Sequence, residues 1–135
     1  MFSELTPTLL HAILKLRSDV FVVEQECAYS DIDGRDSEPQ TLHLWIEDDA
    51  GAVVATARIL RGDGVPLIGR IVTRADVRGR GLGALLMHTA LHLAGRPVEI
   101  KAQARLASWY ERFGFVRCSG EWVEDGIAHI QMRCG

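Results

Sequence analysis

A glycine-rich turn between two apolar segments has the residue types and spacing best suited to chemistry in this chain. Gly79, Gly81 and Gly83 stand at alternate positions, and Arg78 and Arg80 add positive charge. Glycine has no Cβ, so the backbone here can approach a ligand closely. The apolar periodicity that follows predicts a helix, whose first turn offers unpaired amides and the positive end of the helix dipole. The pattern therefore predicts a site for a phosphate-bearing cofactor.

Several cofactor classes use such a turn, and the flanking residues discriminate among them. A nucleotide-hydrolysing P-loop requires Lys followed by Ser or Thr at the helix start, where this chain has two leucines. A dinucleotide-binding pattern is met by Gly79, Gly81 and Ala84, with Glu99 at a suitable distance for a ribose. Residues 73–78, however, separate the predicted strand from the first glycine, whereas a dinucleotide turn begins where its strand ends. The dinucleotide interpretation is therefore disfavoured, and a purely structural turn is a further alternative.

The elements that must position the turn follow from apolar periodicity and turn residues. A helix is predicted from Pro7, with Thr6 as its N-cap, to about Arg17. Further helices are predicted over residues 20–25, 82–94 and 105–113. Strands are predicted over residues 41–47, 52–60, 67–73, 98–103, 115–118 and 127–133. This order predicts a single α+β domain over residues 1–135, with parallel strand pairing only across the strand–helix–strand crossover.

The turn resembles the acyl-CoA-binding signature of the GCN5-related N-acetyltransferase (GNAT) superfamily, Arg/Gln-x-x-Gly-x-Gly/Ala, at Arg78, Gly81 and Gly83. Residues 106–115 are similar to that family's second signature, a Tyr-Glu-x-x-Gly-Phe run on its last helix. The resemblance implies an α+β acyl-CoA N-acyltransferase fold with a mixed, mostly antiparallel sheet flanked by helices. Similarity to the small bacterial ElaA-type branch extends over residues 20–25, 31–36, 102–104 and 124–132.

The resemblance implies acetyl-CoA as the acyl-donor cosubstrate. Backbone amides near Ile71 or Val72 would polarise the thioester carbonyl, and amides of residues 78–84 would bind the pyrophosphate. Gln103 stands where many family members have an Asn that hydrogen-bonds the pantetheine amide. The expected cofactor-binding residues are Ile71, Val72, Thr73, Arg78, Gly79, Arg80, Gly81, Leu82, Gly83, Ala84 and Gln103.

For proton transfer, the sequence offers one candidate general acid and several candidate general bases. Tyr110 matches the family tyrosine that protonates the departing CoA sulfur, and is the expected catalytic residue; the alternative is an aromatic packed beside Trp109 and Phe113. The general base is left open among Glu26, His43, Glu47 and His129, with a structural role favoured for both histidines.

Two other clusters have alternative interpretations. Asp31, Asp33 and Asp36 lie in a predicted loop and either attract a cationic acceptor or are simply solvated. His88 and His92 have the i, i+4 spacing of zinc ligands, but no third ligand is evident, so an exposed pair and no metal are expected.

Composition limits the partners. A net charge of -3 disfavours nucleic acid as a partner, and three cysteines without a CxxC pair indicate buried or idle thiols. The sequence shows neither a secretory signal pattern nor an apolar run of membrane-spanning length, so a cytoplasmic location without membrane partners is expected. The partner expected is a small-molecule or peptide amine acceptor, and an edge-strand homodimer is left open.

The sequence therefore predicts an N-acetyltransferase that moves the acetyl group of acetyl-CoA to a primary amine within a ternary complex. Two other classes of protein fit the same turn. One is a non-catalytic acyl-CoA-binding sensor, and the other is a small nucleotide-binding domain.

Overall fold

One mixed sheet with helices on both faces organises the computed structural model, which describes residues 1–25, 31–62 and 64–135. The strands are β1 Leu42–Glu47, β2 Val53–Leu60, β3 Leu67–Thr73, β4 Val98–Gln103, β5 Val116–Arg117, β6 Trp122–Glu124 and β7 Ile127–Cys134. They run in the order β1-β2-β3-β4-β7-β5, and β6 also pairs with β7. Only the β3–β4 pairing is parallel among the described strands, which confirms the predicted topology.

The helices begin and end close to the predicted residues. They are α1 Pro7–Arg17, α2 Leu82–Ala94 and α3 Ala107–Glu111. Thr6 caps α1, its Oγ1 accepting a hydrogen bond from the Leu9 amide at 3.1 Å. A π-helical segment, Ser18–Glu24, continues directly from α1. The helix expected over residues 20–25 is therefore present, but it begins two residues earlier and ends one residue earlier than predicted. α3 is shorter than predicted because its first turn is the 3-10 helix Ala104–Leu106.

Each face of the sheet buries a separate apolar cluster. Ala55, Ala57 and Ile59 of β2 belong to the larger one, beneath α2. α2 contributes Leu86, Met87 and Ala90 to it, on the face of the helix that meets the sheet. On the opposite face α1 and the π-helical segment pack Ile13, Leu16 and Val20 against Val53 and Val72.

The parallel pairing of β3 with β4 is very short. Leu67 pairs with Glu99 and Ile68 with Ile100, and no further pair is formed between the described residues of the two strands. Both strands nevertheless continue beyond this point, to Thr73 and Gln103 respectively. The sheet is therefore open between their carboxyl ends.

A β-bulge in β3 lies at the point where the strands separate. Thr56 of β2 pairs with Val72 and Arg58 pairs with Gly69, so two residues of β3 oppose a single residue of β2. One of the two, Arg70, has a φ of +51°, in the left-handed region. A bulge of this kind bends its strand and increases the local twist. It thus accounts for the departure of β3 from β4.

Buried ion pairs tie the loop before β1 to α1 and to the sheet. Arg17 is 1% exposed, and its Nη1 donates to Asp36 Oδ1 at 2.6 Å. Its Nε lies 3.1 Å from Asp31 Oδ2. The Nη2 of Arg58 donates to Asp33 Oδ2 at 2.7 Å. We call this set the arginine–aspartate cluster; its members are Arg17, Asp31, Asp33, Asp36, Arg58 and Arg70.

The cluster corrects both interpretations of the acidic loop. Asp31 and Asp36 are buried, and all three aspartates are paired with arginines, so the loop is neither simply solvated nor an unpaired anionic surface for an acceptor. Burial alone would raise the pKa of Asp36, but the hydrogen bond from Arg17 and the charges of Arg17 and Arg58 lower it. A hydrogen bond from Arg58 likewise lowers the pKa of Asp33.

Acid is expected to destabilise the fold through this cluster. A carboxyl group with a depressed pKa in the folded state contributes stability above its unfolded pKa of about 4, and this is lost as the pH falls through the folded value. The urea midpoint of the wild-type chain should therefore decrease steadily from pH 5 to pH 2. Asp36→Asn should show a shallower decrease over this range, and an unchanged slope in that variant would contradict the assignment.

Candidate active site

A cavity of about 620 Å³ opens where β3 and β4 separate, a volume typical of small-molecule sites. Its walls come from β3, the turn before α2, β4, α3 and the β6–β7 hairpin. Every residue expected to bind the cofactor lines it except Arg80, and so does Tyr110. The residues brought together in this way are Ile71, Val72, Thr73, Arg78, Gly79, Gly81, Leu82, Gly83, Ala84, Gln103 and Tyr110.

The N-terminus of α2 forms one wall of the cavity. Gly81, the N-cap residue, has a φ of +79°, and Gly79 has a φ of +80°. Glycine adopts such angles without the steric cost that a Cβ imposes. No side chain of the described residues caps this helix, so the first-turn amides have neither an intrahelical partner nor a capping side chain. This end of α2 is suited to an anionic group with several acceptor oxygens.

Arg78 connects this turn to the π-helical segment. Its Nη1 and Nη2 donate to the two carboxylate oxygens of Glu24 at 2.7 and 3.0 Å, and its Nε donates to the Thr73 carbonyl at 3.0 Å. Its charge is therefore paired with Glu24, and its side chain holds the turn in place. The cationic role expected of Arg78 and Arg80 stays a prediction, and Arg80 is exposed outside the cavity lining.

Gln103 is held by hydrogen bonds at both ends of its amide. Its Nε2 donates to Gln25 Oε1 at 3.2 Å, and its Oε1 accepts from Arg105 Nε at 3.1 Å. Each end of the amide makes a single hydrogen bond, so one N–H and one lone pair stay available for a pantetheine group. Its position in the cavity wall is compatible with the expected role.

Tyr110 packs among aromatic rings and also lines the cavity, so its position is compatible with both alternatives, and its catalytic role stays a prediction. Its ring meets those of Trp109 and Phe115 edge-on, with centroids 5.0 and 6.2 Å away, and it also lines the cavity. Burial raises the pKa of Tyr110 to about 12. Trp109 also closes the wall at Gly83, where an added Cβ would lie 3.5 Å from the indole.

The candidate bases lie in different parts of the molecule. His43 is outside the cavity lining, its Nε2 is 2.9 Å from the Asp36 carbonyl, and burial lowers its pKa, all of which fits a structural role. Glu47 is exposed on β1, and Glu26 lies outside the described residues. His129 lines the cavity.

The tip of the β6–β7 hairpin is a part of the site that sequence reasoning missed, although His129 of β7 was a candidate base. The tip contributes Glu124 and Asp125 to the cavity lining beside His129. β6 was not predicted, because a strand of three residues is too short to show an alternating pattern. Trp122, the first residue of β6, was the available signal, because β-strands are enriched in aromatic residues.

The described residues provide neither a metal-binding group nor a membrane-spanning helix. His88 and His92 are both exposed, as expected, and the ring of His88 lies edge-on to Phe113 with a centroid distance of 5.1 Å. Within residues 1–25, 31–62 and 64–135 there is no group of three His, Cys, Asp or Glu residues placed to hold a metal ion. None of the helices in those ranges is both long and apolar enough to cross a membrane.

The fold and the cavity between separated parallel strands define an acyltransferase of the GNAT type, and comparison with known proteins agrees. The model of the acetyltransferase (GNAT) domain family matches residues 17–135. The Escherichia coli protein ElaA is 41% identical over 140 residues, which cover 96% of this chain and 90% of ElaA. The chain belongs to the GNAT family, and the predicted resemblance to the ElaA-type branch is confirmed.

Solved structures support the same fold. An acyl-CoA N-acyltransferase from Pseudomonas aeruginosa has a TM-score of 0.93 and 42% identity, over 99% of this chain and 95% of that one. An aminoglycoside 6'-N-acetyltransferase complexed with coenzyme A has a TM-score of 0.74 over 95% of this chain and 91% of that one. At 12% identity, this second similarity extends to the fold alone.

Proposed function

We propose that this chain transfers the acetyl group of acetyl-CoA to a primary amine by direct transfer within a ternary complex. The observation that carries the proposal is the single cavity that joins the gap between β3 and β4 to the uncapped N-terminus of α2. An acyl-CoA needs both parts, because its pyrophosphate is anionic and its pantetheine arm is long and narrow. Membership of the GNAT family supports the reaction type.

The donor would lie along this cavity with its two ends in different environments. The amides of residues 78–84 would bind the pyrophosphate, and the unpaired edge of β3 would face the pantetheine arm. Backbone amides near Ile71 or Val72 would then donate to the thioester oxygen as it gains negative charge. Fixed donors of this kind stabilise a developing oxyanion strongly, because they need no reorganisation during the reaction.

Direct transfer requires no nucleophilic side chain. Cys118 and Cys134 are the described cysteines, and neither lines the cavity. The acceptor nitrogen would attack the thioester carbon itself, after it has lost the proton that keeps an alkylamine charged at neutral pH.

Tyr110 would assist the departure of the CoA sulfur. With a phenol pKa of about 12 and a thiol pKa of about 8.5, full proton transfer to the thiolate is uphill by about 5 kcal/mol. A hydrogen bond from the phenol to the sulfur requires no such transfer, and it strengthens as negative charge builds up. We therefore assign Tyr110 as a hydrogen-bond donor to the leaving group, with the proton following late.

Tyr110→Phe is expected to lower kcat by about 10- to 100-fold, the value of one hydrogen bond to a charged group. The dissociation constant of acetyl-CoA should change little, because the hydrogen bond forms fully only as the sulfur becomes charged. Steady-state kinetics together with calorimetric titration of acetyl-CoA would measure both quantities. Unchanged turnover would remove Tyr110 from the mechanism.

A thermal-shift series with acetyl-CoA, CoA, NAD and ATP separates a nucleotide-binding domain from the two acyl-CoA-binding classes, because a ligand that binds the folded state raises the melting temperature. Stabilisation by acetyl-CoA and CoA alone is expected, and stabilisation by NAD or ATP alone would indicate a nucleotide-binding domain. Release of CoA thiol in a screen of amines then distinguishes the enzyme from an acyl-CoA sensor. The cytoplasmic location and the absence of nucleic-acid and membrane partners stay predictions.

A further inference from the structure

His129 lies on the side of the cavity that faces α1 and the π-helical segment. On β7 its neighbours Ile130 and Met132 belong to the core beneath α2. Side chains of a strand alternate between its two faces, so His129 points to the other face. Gln103 is directly opposite it on β4 and shares that face. Gln103 in turn bonds Gln25, just after the π-helical segment, so the three elements meet around His129.

The surroundings of His129 favour one tautomer of its imidazole ring. Nδ1 lies 2.8 Å from the carbonyl oxygen of Ile127. A carbonyl only accepts hydrogen bonds, so Nδ1 carries the proton, and in the neutral ring Nε2 keeps its lone pair. The indole of Trp122 stacks on the ring, with centroids 5.9 Å apart and planes 22° apart, and fixes its orientation. His129 is thus held with a basic nitrogen available.

The other charged and titratable groups of this part of the cavity are less suitable bases. Lys101 and the arginines are cations, and the hydroxyl of Tyr110 is a proton donor. Glu124 and Asp125 are exposed at the hairpin tip, and a solvated carboxylate is a weaker base than an imidazole. The groups that share the cavity with His129 here are Arg70, Lys101, Tyr110, Arg112, Glu124 and Asp125.

We propose that His129 is the general base of the reaction, its Nε2 removing one proton from the ammonium group of the acceptor. This inference rests on the proposed function. The neutral amine then forms its bond to the thioester carbon, and the C–S bond breaks as the tetrahedral intermediate collapses. The sulfur leaves with a proton from the phenol of Tyr110, which recovers one from the nitrogen of the new amide. His129 finally releases its proton to solvent.

The proposal is tested with His129→Gln, which keeps a polar side chain but cannot take up the proton. The control is His92→Gln, on the exposed side of α2 and outside the cavity lining. Spermidine, tyramine and Nα-acetyl-lysine serve as acceptor probes, and kinetics use the probe that wild type acetylates fastest. At pH 7.5 we expect kcat/KM for this probe to fall by about 100-fold or more in His129→Gln. His92→Gln should match wild type.

The dependence of this loss on pH separates a base from a structural histidine. An alkylamine deprotonates itself near pH 10, so the deficit of His129→Gln should shrink to less than about 10-fold there. The acid-side decrease of kcat/KM in wild type should also be altered in the variant. A deficit that is the same at every pH would indicate a structural role and overturn the proposal, as would full activity of His129→Gln.

A measurement on the wild-type chain covers the case in which His129→Gln does not fold. Nitrogen-15 NMR of the histidine side chains at pH 8 should show His129 with a protonated Nδ1 and an unprotonated Nε2. The opposite tautomer would overturn the proposal without affecting the proposed function. If wild type releases no CoA thiol with any probe, the proposed function fails and this inference fails with it.

Discussion

Gly81→Val is expected to weaken acetyl-CoA binding by about 10- to 100-fold. Gly81 has a φ of +79° at the N-cap of α2, and the left-handed region costs a residue with a Cβ about 1–2 kcal/mol, more for a β-branched one. Within the protein nothing lies within 4 Å of an added Cβ at this position. The added side chain would instead occupy the space that the pyrophosphate is proposed to fill, and relaxation of the strained turn would move the amides that bind it.

Gly51→Val is the matched control for this experiment. Gly51 has a φ of +83° and open space at the position of its Cβ, but it lies in the turn between β1 and β2, away from the cavity. Both variants should lose similar stability, whereas only Gly81→Val should lose affinity in a calorimetric titration. Equal affinity of the two variants for acetyl-CoA would show that the cofactor does not bind against the start of α2.

Arg17→Met is expected to lower the free energy of unfolding by about 3–5 kcal/mol, because removing one partner of a buried ion pair leaves an uncompensated charge. Arg17 is 1% exposed, and it bonds both Asp31 and Asp36. For a chain of this size the loss corresponds to a melting temperature about 10–20 °C lower. Urea unfolding at pH 7 would measure the effect.

Lys15→Met provides a comparison on the same helix. Lys15 pairs with Asp19 at 2.7 Å, but the two side chains are 66% and 53% exposed. An exposed i, i+4 pair contributes only about 0.3–0.5 kcal/mol, so this variant should unfold almost as wild type does. If the two variants were equally stable, the arginine–aspartate cluster would not be a stabilising part of the fold.

Local patterns predicted the elements well and the contacts between distant residues poorly. Thr6 and Pro7 mark the start of α1, and the glycines before Leu82 mark the start of α2, because capping and turn geometry depend on adjacent residues. The pairing of Glu24 with Arg78 joins residues 54 positions apart, and no local pattern contains such information. The candidate site was therefore predicted as a set of residues, without the ion pair that holds its turn.

One signal for the arginine–aspartate cluster was nevertheless present in the sequence. Arg58 stands in a strand whose other residues are small or apolar, and that strand is buried along its whole length. A charged side chain in such a strand requires a counter-charge, since burying it alone is very costly. Asp33 and Asp36 were the acidic residues to consider. Their interpretation as an acceptor-binding loop failed because it took no account of what Arg58 must bind.

The bulge in β3 gives the arginine–aspartate cluster a consequence beyond stability. Arg70 holds its left-handed backbone while its guanidinium contacts Asp31 at 2.9 Å and Asp33 at 3.4 Å. These contacts offset the conformational cost of the left-handed residue, which is about 1–2 kcal/mol. The bulge, and with it the cavity between β3 and β4, is therefore preorganised before any ligand binds. Ligand binding then requires less ordering of the chain, which favours affinity. Selection for the shape of the cavity would therefore also act on Arg17 of α1 and Arg58 of β2, which lie outside the cavity lining.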